Sequence, residues 1–523
     1  MPRVRNVLFV MTDQLRTDYL SAYGHPTLKT PNIDALAARG VRFTRAYVQS
    51  PVCGPARMSY YTGRYVTSHG ATWNNIPLSV GEWTLGDYVR PIGPRVGLVG
   101  KTHMRIDRDG FSRLGLDQGS TAGRYAAECG FEPFARDDGL HPDFIYDPDA
   151  SYERYLRKKG YDGKNLWQDW ANSGSDEDGA LLSGWYMRNA REPARIPEEH
   201  SETAWTTDQA MEFIRVQGDQ PWVLHVSYIK PHWPYIVSAP YHGMYGPEDC
   251  VPAIRSEAER EDAHPVFKAF MQHPESVLFA KEEVRLTVAP TYMGLIKQID
   301  DHIGRLVQFL EAKGRLDDTL IVFTSDHGDY MGDHWLGEKE LFHEQSVRVP
   351  LIVIDPSDEA QATRGTVSDA LVESIDLVPT FVEALGGQVA DQRLEGRSLL
   401  GLLRRGAHAP AWREHAVSEL DYSFRQARRD LGLGPSEARA YMVATDRWKY
   451  VFYERLRPQL FDLLNDPQEL VDLGADLGHQ PTLRDMADRL FEWSRQRKTR
   501  VTTTDADVER LSSFAGKRLI GLW

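Results

Sequence analysis

Cysteine is nearly absent: a chain of 523 residues holds three, Cys53, Cys129 and Cys250. So sparse and odd a set gives no disulfide framework and fits a reducing compartment. No apolar run approaches the ~20 residues that a bilayer span needs. The opening Met1-Pro2-Arg3-Val4-Arg5 passes straight into the apolar run Asn6 to Met11, too short for a secretory leader and its cleavage site. The expectation is a cytoplasmic protein without a membrane segment. An excess of positive charge is missing too: the formal net charge is −14, which excludes the broad basic footprint of a nucleic-acid or anionic-membrane binder. Any basic patch must be local. There is no internal repeat and no low-complexity tract. What the chain does have is 41% hydrophobic residues, over a length that can bury a large core and suggests one large and one small domain.

Short β-branched runs alternate with long segments of helical period, the pattern of an α/β sheet covered by helices on both faces. Strands are predicted over Val7 to Met11, Val96 to Val99, Trp222 to Tyr228, Thr319 to Thr324 and Leu351 to Ile354. Helices are predicted from Thr30-Pro31 to Gly40, and over Glu202 to Val216, Thr291 to Ala312 and Ser368 to Leu385. Residues 122–200, rich in Asp, Gly, Trp and Tyr with weak periodicity, read as an elaborated loop region walling a pocket. Near Ala416 the pattern changes to the shorter strands Tyr441 to Ala444 and Trp448 to Tyr453, a turn at Asn465-Asp466-Pro467 and a closing helix near Thr482 to Gln496. The expected division is therefore 1–415 and a smaller α+β domain, 416–523. An apolar tail, Leu519-Ile520-Gly521-Leu522-Trp523, would be costly to leave in water and suggests a homo-oligomer, dimer or tetramer.

Polar residues gather where the predicted strands end. Asp13 and Gln14 follow the first, Lys101 and His103 the second, His232 the third, Asp326 and His327 the fourth. Ligands of open α/β sheets bind at that edge, so four such exits point to one site. Taken singly, each has a plain alternative: Asp13 a helix cap, Lys101 a solvated charge, His232 a packed loop histidine, Asp326-His327-Gly328-Asp329 a polar turn. Val99-Gly100-Lys101-Thr102 ends like a phosphate loop, but the required first glycine falls on Arg95, which removes that reading. Cys53 alone could be a small buried hydrophobe or a thiolate nucleophile at a helix N-terminus. Cysteine phosphatases separate Cys from Arg by five residues; here there are three, Gly54-Pro55-Ala56. A helix opened by Pro55, running to Thr62 and ending at Gly63, would set Arg57 on the face of Cys53 and offer its N-terminal amides to an anion.

The run Cys53-Gly54-Pro55-Ala56-Arg57 resembles the Cys-x-Pro-x-Arg maturation signal of type I sulfatases and the related phosphonate monoester hydrolases of the alkaline phosphatase superfamily. Gly100-Lys101-Thr102-His103 resembles the sulfatase Gly-Lys-x-His element, and Lys230-Pro231-His232-Trp233-Pro234 the His-x-Pro element. The run Gly332 to Lys339, with Glu344 and Arg348-Val349-Pro350-Leu351, resembles the segment that supplies an active-site lysine, here Lys339. Arg447 to Tyr450 and Gln459 to Glu469 resemble the sulfatase C-terminal domain, so the likeness extends from Asn6 to about Leu473.

This resemblance implies a large mixed, mostly parallel sheet sandwiched by helices. It implies that a formylglycine-generating enzyme oxidises Cys53 to formylglycine, whose hydrate attacks a small anionic ester. Asp13, Gln14, Asp326 and His327, with residue 53, would hold one divalent metal. The imidazole favours Mn2+, with Ca2+ as the alternative. Arg57 would orient the nucleophile, Lys101 and Lys339 would neutralise the non-bridging oxygens, His232 beside Lys339 would protonate the leaving oxygen, and His103 would take the proton that releases the product. Cys-Gly-Pro-Ala-Arg, Asp13-Gln14 and Asp326-His327 lean toward the phosphonate hydrolases, which carry uncharged hydroxyl residues where this chain has Lys101 and His103. That extra cation favours a sulfate monoester. The expectation is an arylsulfatase-like hydrolase with some phosphonate and phosphodiester activity. The alternatives are a phosphonate monoester hydrolase, a thiol-dependent metallophosphatase, or an unmatured metal-binding protein without activity. Tyr125, Trp167, Trp170, Trp185 and Trp233 could each line an aryl pocket or pack in the core.

Overall fold

A computed structural model describes residues 4–142 and 147–512. Eight strands form one sheet: β1 (Asn6–Asp13), β2 (Val41–Tyr47), β3 (Arg95–Gly100), β4 (Glu132–Arg136), β7 (Trp222–Pro231), β8 (Thr319–Ser325), β9 (Arg348–Ile354) and β10 (Thr366–Glu373). A separate two-stranded hairpin, β5 (Ser173–Ser175) with β6 (Leu181–Ser183), lies in the long loop region. The order across the sheet is β10-β2-β9-β8-β1-β7-β3-β4. All neighbours run parallel except β9, which is antiparallel to both β2 and β8. The sheet is thus mixed and mostly parallel.

Both faces are covered. Along β1, Val7, Phe9 and Met11 join one core while Leu8 and Val10 join the other, the period of two that a strand imposes. One face packs the helices Pro31–Arg39, Glu202–Gln217 and Glu282–Ala312; the other packs Cys53–Thr62 and Leu377–Ala384. Burying each such Leu, Ile or Phe contributes ~1.5–3 kcal/mol, so the sheet is a stiff base for whatever its edge carries. A second, antiparallel sheet follows, β11 (Ala416–Asp421), β12 (Arg439–Ala444), β13 (Trp448–Tyr453) and β14 (Gln459–Asp462), backed by the helix Gln480–Arg495.

Two predicted helices differ from the structure. Residues 368–385 are not one helix: β10 occupies Thr366–Glu373 and a short helix Leu377–Ala384 follows. This strand lies at the sheet edge with much of its length exposed, so it lacks the apolar run by which the central strands are read. The helix expected to begin at Thr291 begins at Glu282 and passes through Pro290. Tertiary packing of Val288, Ala289, Tyr292 and Met293 outweighs the missing amide. The strands β2 and β4 of the large sheet, the hairpin β5–β6, and β11 and β14 of the second sheet are additions to the predicted set. The tail 519–523, on which the oligomer expectation rests, lies outside the described residues. Among the described residues no helix is long and apolar enough to cross a membrane.

Candidate active site

Four adjacent strands, β8, β1, β7 and β3, deliver the site from one edge of the sheet. Thr12 pairs with Ser325 and Asp13 with Pro231, so register alone brings Asp13, Asp326 and His232 together. The chain turns sharply at these exits. Gln14 and His103 both take the left-handed conformation, with φ of 67° and 58°, an uncommon backbone for residues with a Cβ. Gly100 has φ of 95°, and a Cβ there would lie 2.0 Å from the Ser227 carbonyl oxygen. Only glycine lets β3 pass so near β7 before Lys101.

Cys53 enters from the opposite face as the first residue of the helix Cys53–Thr62. The helix thus starts at Cys53 rather than at Pro55, and it ends at Gly63 in the left-handed conformation. The Cys53 sulfur lies 3.0 Å from His327 Nε2, 3.2 Å from Lys339 Nζ and 3.8 Å from Asp13 Oδ1. Burial would raise its pKa, but Lys339, His327 and Lys101 hold the thiol well below its ordinary value. The position favours a negative charge.

Asp13, Gln14, Asp326 and His327 are all buried around that sulfur. Donor atoms of Asp13, Cys53, Asp326 and His327 lie within 4.8 Å of one another, a spacing that can hold a metal ion. Each polar ligand is oriented from behind. His327 Nδ1 meets the Gly328 carbonyl at 2.8 Å, which leaves Nε2 facing the cluster. Gln14 Nε2 donates to Asp329 Oδ2 at 2.5 Å and to Tyr235 at 3.4 Å, so its Oε1 turns inward. Burial lowers the His327 pKa, but Asp326 and Cys53 outweigh it and bring the group up to about 8. Lys101, His232 and Arg57 hold Asp13 low against burial and the Cys53 thiolate.

Arg57, fully buried, bonds Asp326 Oδ2 at 2.7 Å, Asp13 Oδ2 at 3.2 Å, Ser227 Oγ at 2.7 Å and the Lys101 carbonyl at 2.9 Å. Its guanidinium fixes the two carboxylates rather than bonding the Cys53 sulfur. Lys101 Nζ lies 2.5 Å from Asp13. Lys339 Nζ also meets Gln14 Oε1 at 3.0 Å and His232 Nε2 at 3.1 Å. His232 Nδ1 meets the Trp233 carbonyl at 2.7 Å, so Nε2 is the acceptor of the Lys339 proton. Burial and Lys339 depress His232 to about 4, while Cys53, Glu338 and Asp13 raise Lys339 despite its burial. Histidine is neutral and lysine charged. The buried cations Arg57, Lys101 and Lys339, joined by His327 with its raised pKa, thus face the Asp13 and Asp326 carboxylates and the Cys53 thiolate, and the one positive charge left over calls for an anionic guest.

A cavity of about 1370 Å³ opens at Lys101 and His103. Trp185 and Trp233 form part of its wall, their rings edge-to-face at 5.1 Å, whereas Trp167 is a core residue. Much of the rest comes from residues within 136–142 and 147–154, with Gln168 and Ser183, in the region read as a pocket wall. Two residues beyond the predicted set contribute. Asp329 fixes the Gln14 amide, and Asn74 Oδ1 accepts the Gly54 amide at 2.7 Å. Asp329 was within reach of the sequence, three residues after Asp326; Asn74 sits in a loop with no periodic signal.

The Sulfatase family profile matches residues 5–387, and a profile described as N-sulphoglucosamine sulphohydrolase, C-terminal, matches residues 332–496. The chain is 32% identical to the multifunctional alkaline phosphatase superfamily protein PehA of Trinickia caryophylli, over 95% of this chain and 97% of that one. It is 29% identical to an arylsulfatase of Clostridium perfringens, over 90% of each chain. Among solved structures, a phosphonate monoester hydrolase from Silicibacter pomeroyi superposes with a TM-score of 0.82 at 27% identity, covering 96% of this chain and 98% of that one.

Proposed function

The chain belongs to the sulfatase family, and from that membership we propose that it hydrolyses sulfate monoesters, with phosphonate monoesters and phosphodiesters as further substrates. The observation that carries this reading is the surround of Cys53: a buried sulfur between Lys339 and His327, beside a carboxylate held by Arg57 and Lys101. Conversion of Cys53 to formylglycine by a formylglycine-generating enzyme would supply a hydrated aldehyde, with a hydroxyl nucleophile where the sulfur stands. Asp13, Gln14, Asp326 and His327, with residue 53, would hold one divalent metal, which supplies Lewis acidity at that hydroxyl. The imidazole ligand favours Mn2+ over Ca2+.

The remaining roles are those of the chain itself. Lys101 and Lys339 bind the non-bridging oxygens of the ester, whose charge offsets the surplus of cations. Arg57 keeps both carboxylates in place and helps to hold Asp13 ionised. Lys339 holds the proton offered to the leaving oxygen, and neutral His232, accepting from the same nitrogen, aims it. His103, at the cavity mouth, accepts the proton whose loss frees the product. Trp185 and Trp233 receive the leaving group.

One observation favours the second reading, phosphonate hydrolysis as the main activity: the TM-score of 0.82 to a phosphonate monoester hydrolase. The two readings separate on kcat/KM for 4-nitrophenyl sulfate and 4-nitrophenyl phenylphosphonate, which share a leaving group. Protein co-expressed with a formylglycine-generating enzyme and loaded with Mn2+ is expected to prefer the sulfate. A clear preference for the phosphonate would give the second reading precedence.

A further inference from the structure

Lys339 makes its three contacts, to Cys53, Gln14 and His232, within 3.2 Å, so its backbone must be fixed closely. Yet the loop that carries it is strained. Glu338 and Glu340, on either side, have φ of 58° and 100°; such residues cost of order 1–3 kcal/mol each and persist only where the surroundings over-determine them.

Much of what determines them comes from the C-terminal part of the chain. Arg425, just after β11, sets its Nε 2.7 Å from Glu340 Oε2. Its Nη2 binds Glu275 and lies 3.1 Å from His273 Nδ1. Two to four residues past Glu340 a second cation acts: Lys449 of β13, fully buried, donates to the Phe342 carbonyl at 2.8 Å and pairs with Glu344 at 2.7 Å, and also with Glu469 at 2.6 Å. Between these anchors Leu341 and Phe342 are buried. On the other side Gly337 packs so tightly that a Cβ would lie 2.6 Å from the Glu275 carbonyl oxygen.

We propose that Arg425 is a positioning residue for Lys339: by binding Glu340 and Glu275 it holds the loop so that Nζ points at residue 53. This rests on the ester-hydrolase reading for what Lys339 does, and goes beyond it in making the active lysine depend on a residue that never meets the substrate. Burial, against the pull of Arg425, already pushes Glu340 up to about 8. Lys339 is the other cation that acts on Glu340, and on Glu338 it acts more strongly than Arg425 does.

Wild type, Arg425→Gln and Arg425→Lys are compared on 4-nitrophenyl sulfate and phenyl sulfate, with metal and formylglycine content measured on each. A misplaced catalytic group costs up to about 100-fold. The expected result for Arg425→Gln is a kcat lower by roughly 10- to 100-fold, a KM little changed, and a greater loss on phenyl sulfate, whose oxygen most needs the proton. Arg425→Lys should recover part of it. Equal losses on both esters, or a kcat within about twofold of wild type, would overturn the proposal. If Arg425→Gln does not fold, Glu340→Gln carries the same comparison. If wild type cleaves neither ester, the substrate reading fails by itself. The positioning role is then read from crystal structures: an unmoved Lys339 Nζ in Arg425→Gln counts against it.

Discussion

Cys53 shows how far a single residue can be read. Its side chain sits where Lys339, His327 and Lys101 stabilise negative charge, which serves a thiolate or a metal-acidified hydroxyl alike. The aldehyde is what separates them. Cys53→Ser should lose activity by roughly 10³-fold or more, as removal of a nucleophile does, while metal content by elemental analysis stays unchanged; equal activity would remove the formylglycine mechanism. Asp329 gives a second test at this scale. It accepts from Gln14 Nε2 and from Tyr235, so Asp329→Leu frees the amide to turn. Metal affinity, followed by titration of the apoprotein, should weaken by roughly 10- to 100-fold. The polar residues Asp13, Gln14, Lys101, His103, His232, Asp326 and His327 were legible because each lies just past an apolar run. Asn74 was not, since nothing local marks a loop residue that meets Gly54 from 20 positions away.

Among the elements, the central strands were read to within three residues because burial on both faces makes them apolar throughout. The edge strand β10 was read as helix because exposure removes that signal. Strand ends also set the chemistry. At Gly100 the chain leaves β3 with φ of 95°, close under the Ser227 carbonyl, and Arg57 binds both Ser227 Oγ and the Lys101 carbonyl just beside it. Gly100→Ala therefore combines overpacking with an unfavourable φ and should cost about 2 kcal/mol or more. It should also reduce kcat by shifting Lys101. Thermal unfolding and turnover measured on one sample check both, and a variant as stable and active as wild type would contradict this account of the turn.

For the whole molecule, the two sheets meet over buried charge. Glu419 of β11 accepts from the Thr67 amide and hydroxyl across that boundary, and burial, opposed by those bonds, pushes it up to about 7. A carboxyl whose folded-state pKa is raised binds its proton more tightly when folded. Its cost to stability is therefore absent below the ordinary carboxylate range, grows as pH rises, and is complete above about 7. Glu419→Gln should accordingly gain Tm relative to wild type between pH 5 and pH 8; a constant difference across that range would rule out titration at this boundary. The same boundary holds the lysine loop, and the two family profiles overlap from residue 332 to residue 387, a stretch that includes Lys339. Sequence by itself determined the five central strands of the large sheet, the strand exits and the motif at Cys53, because these depend on local period and on residue type at short spacing. Only the tertiary structure decided that Arg57 serves the carboxylates, that His232 accepts from Lys339, and that Arg425 and Lys449 hold the loop between them. Those contacts join residues up to 269 positions apart, as Arg57 and Asp326 are, and geometry of that kind exists only once the chain has closed on itself.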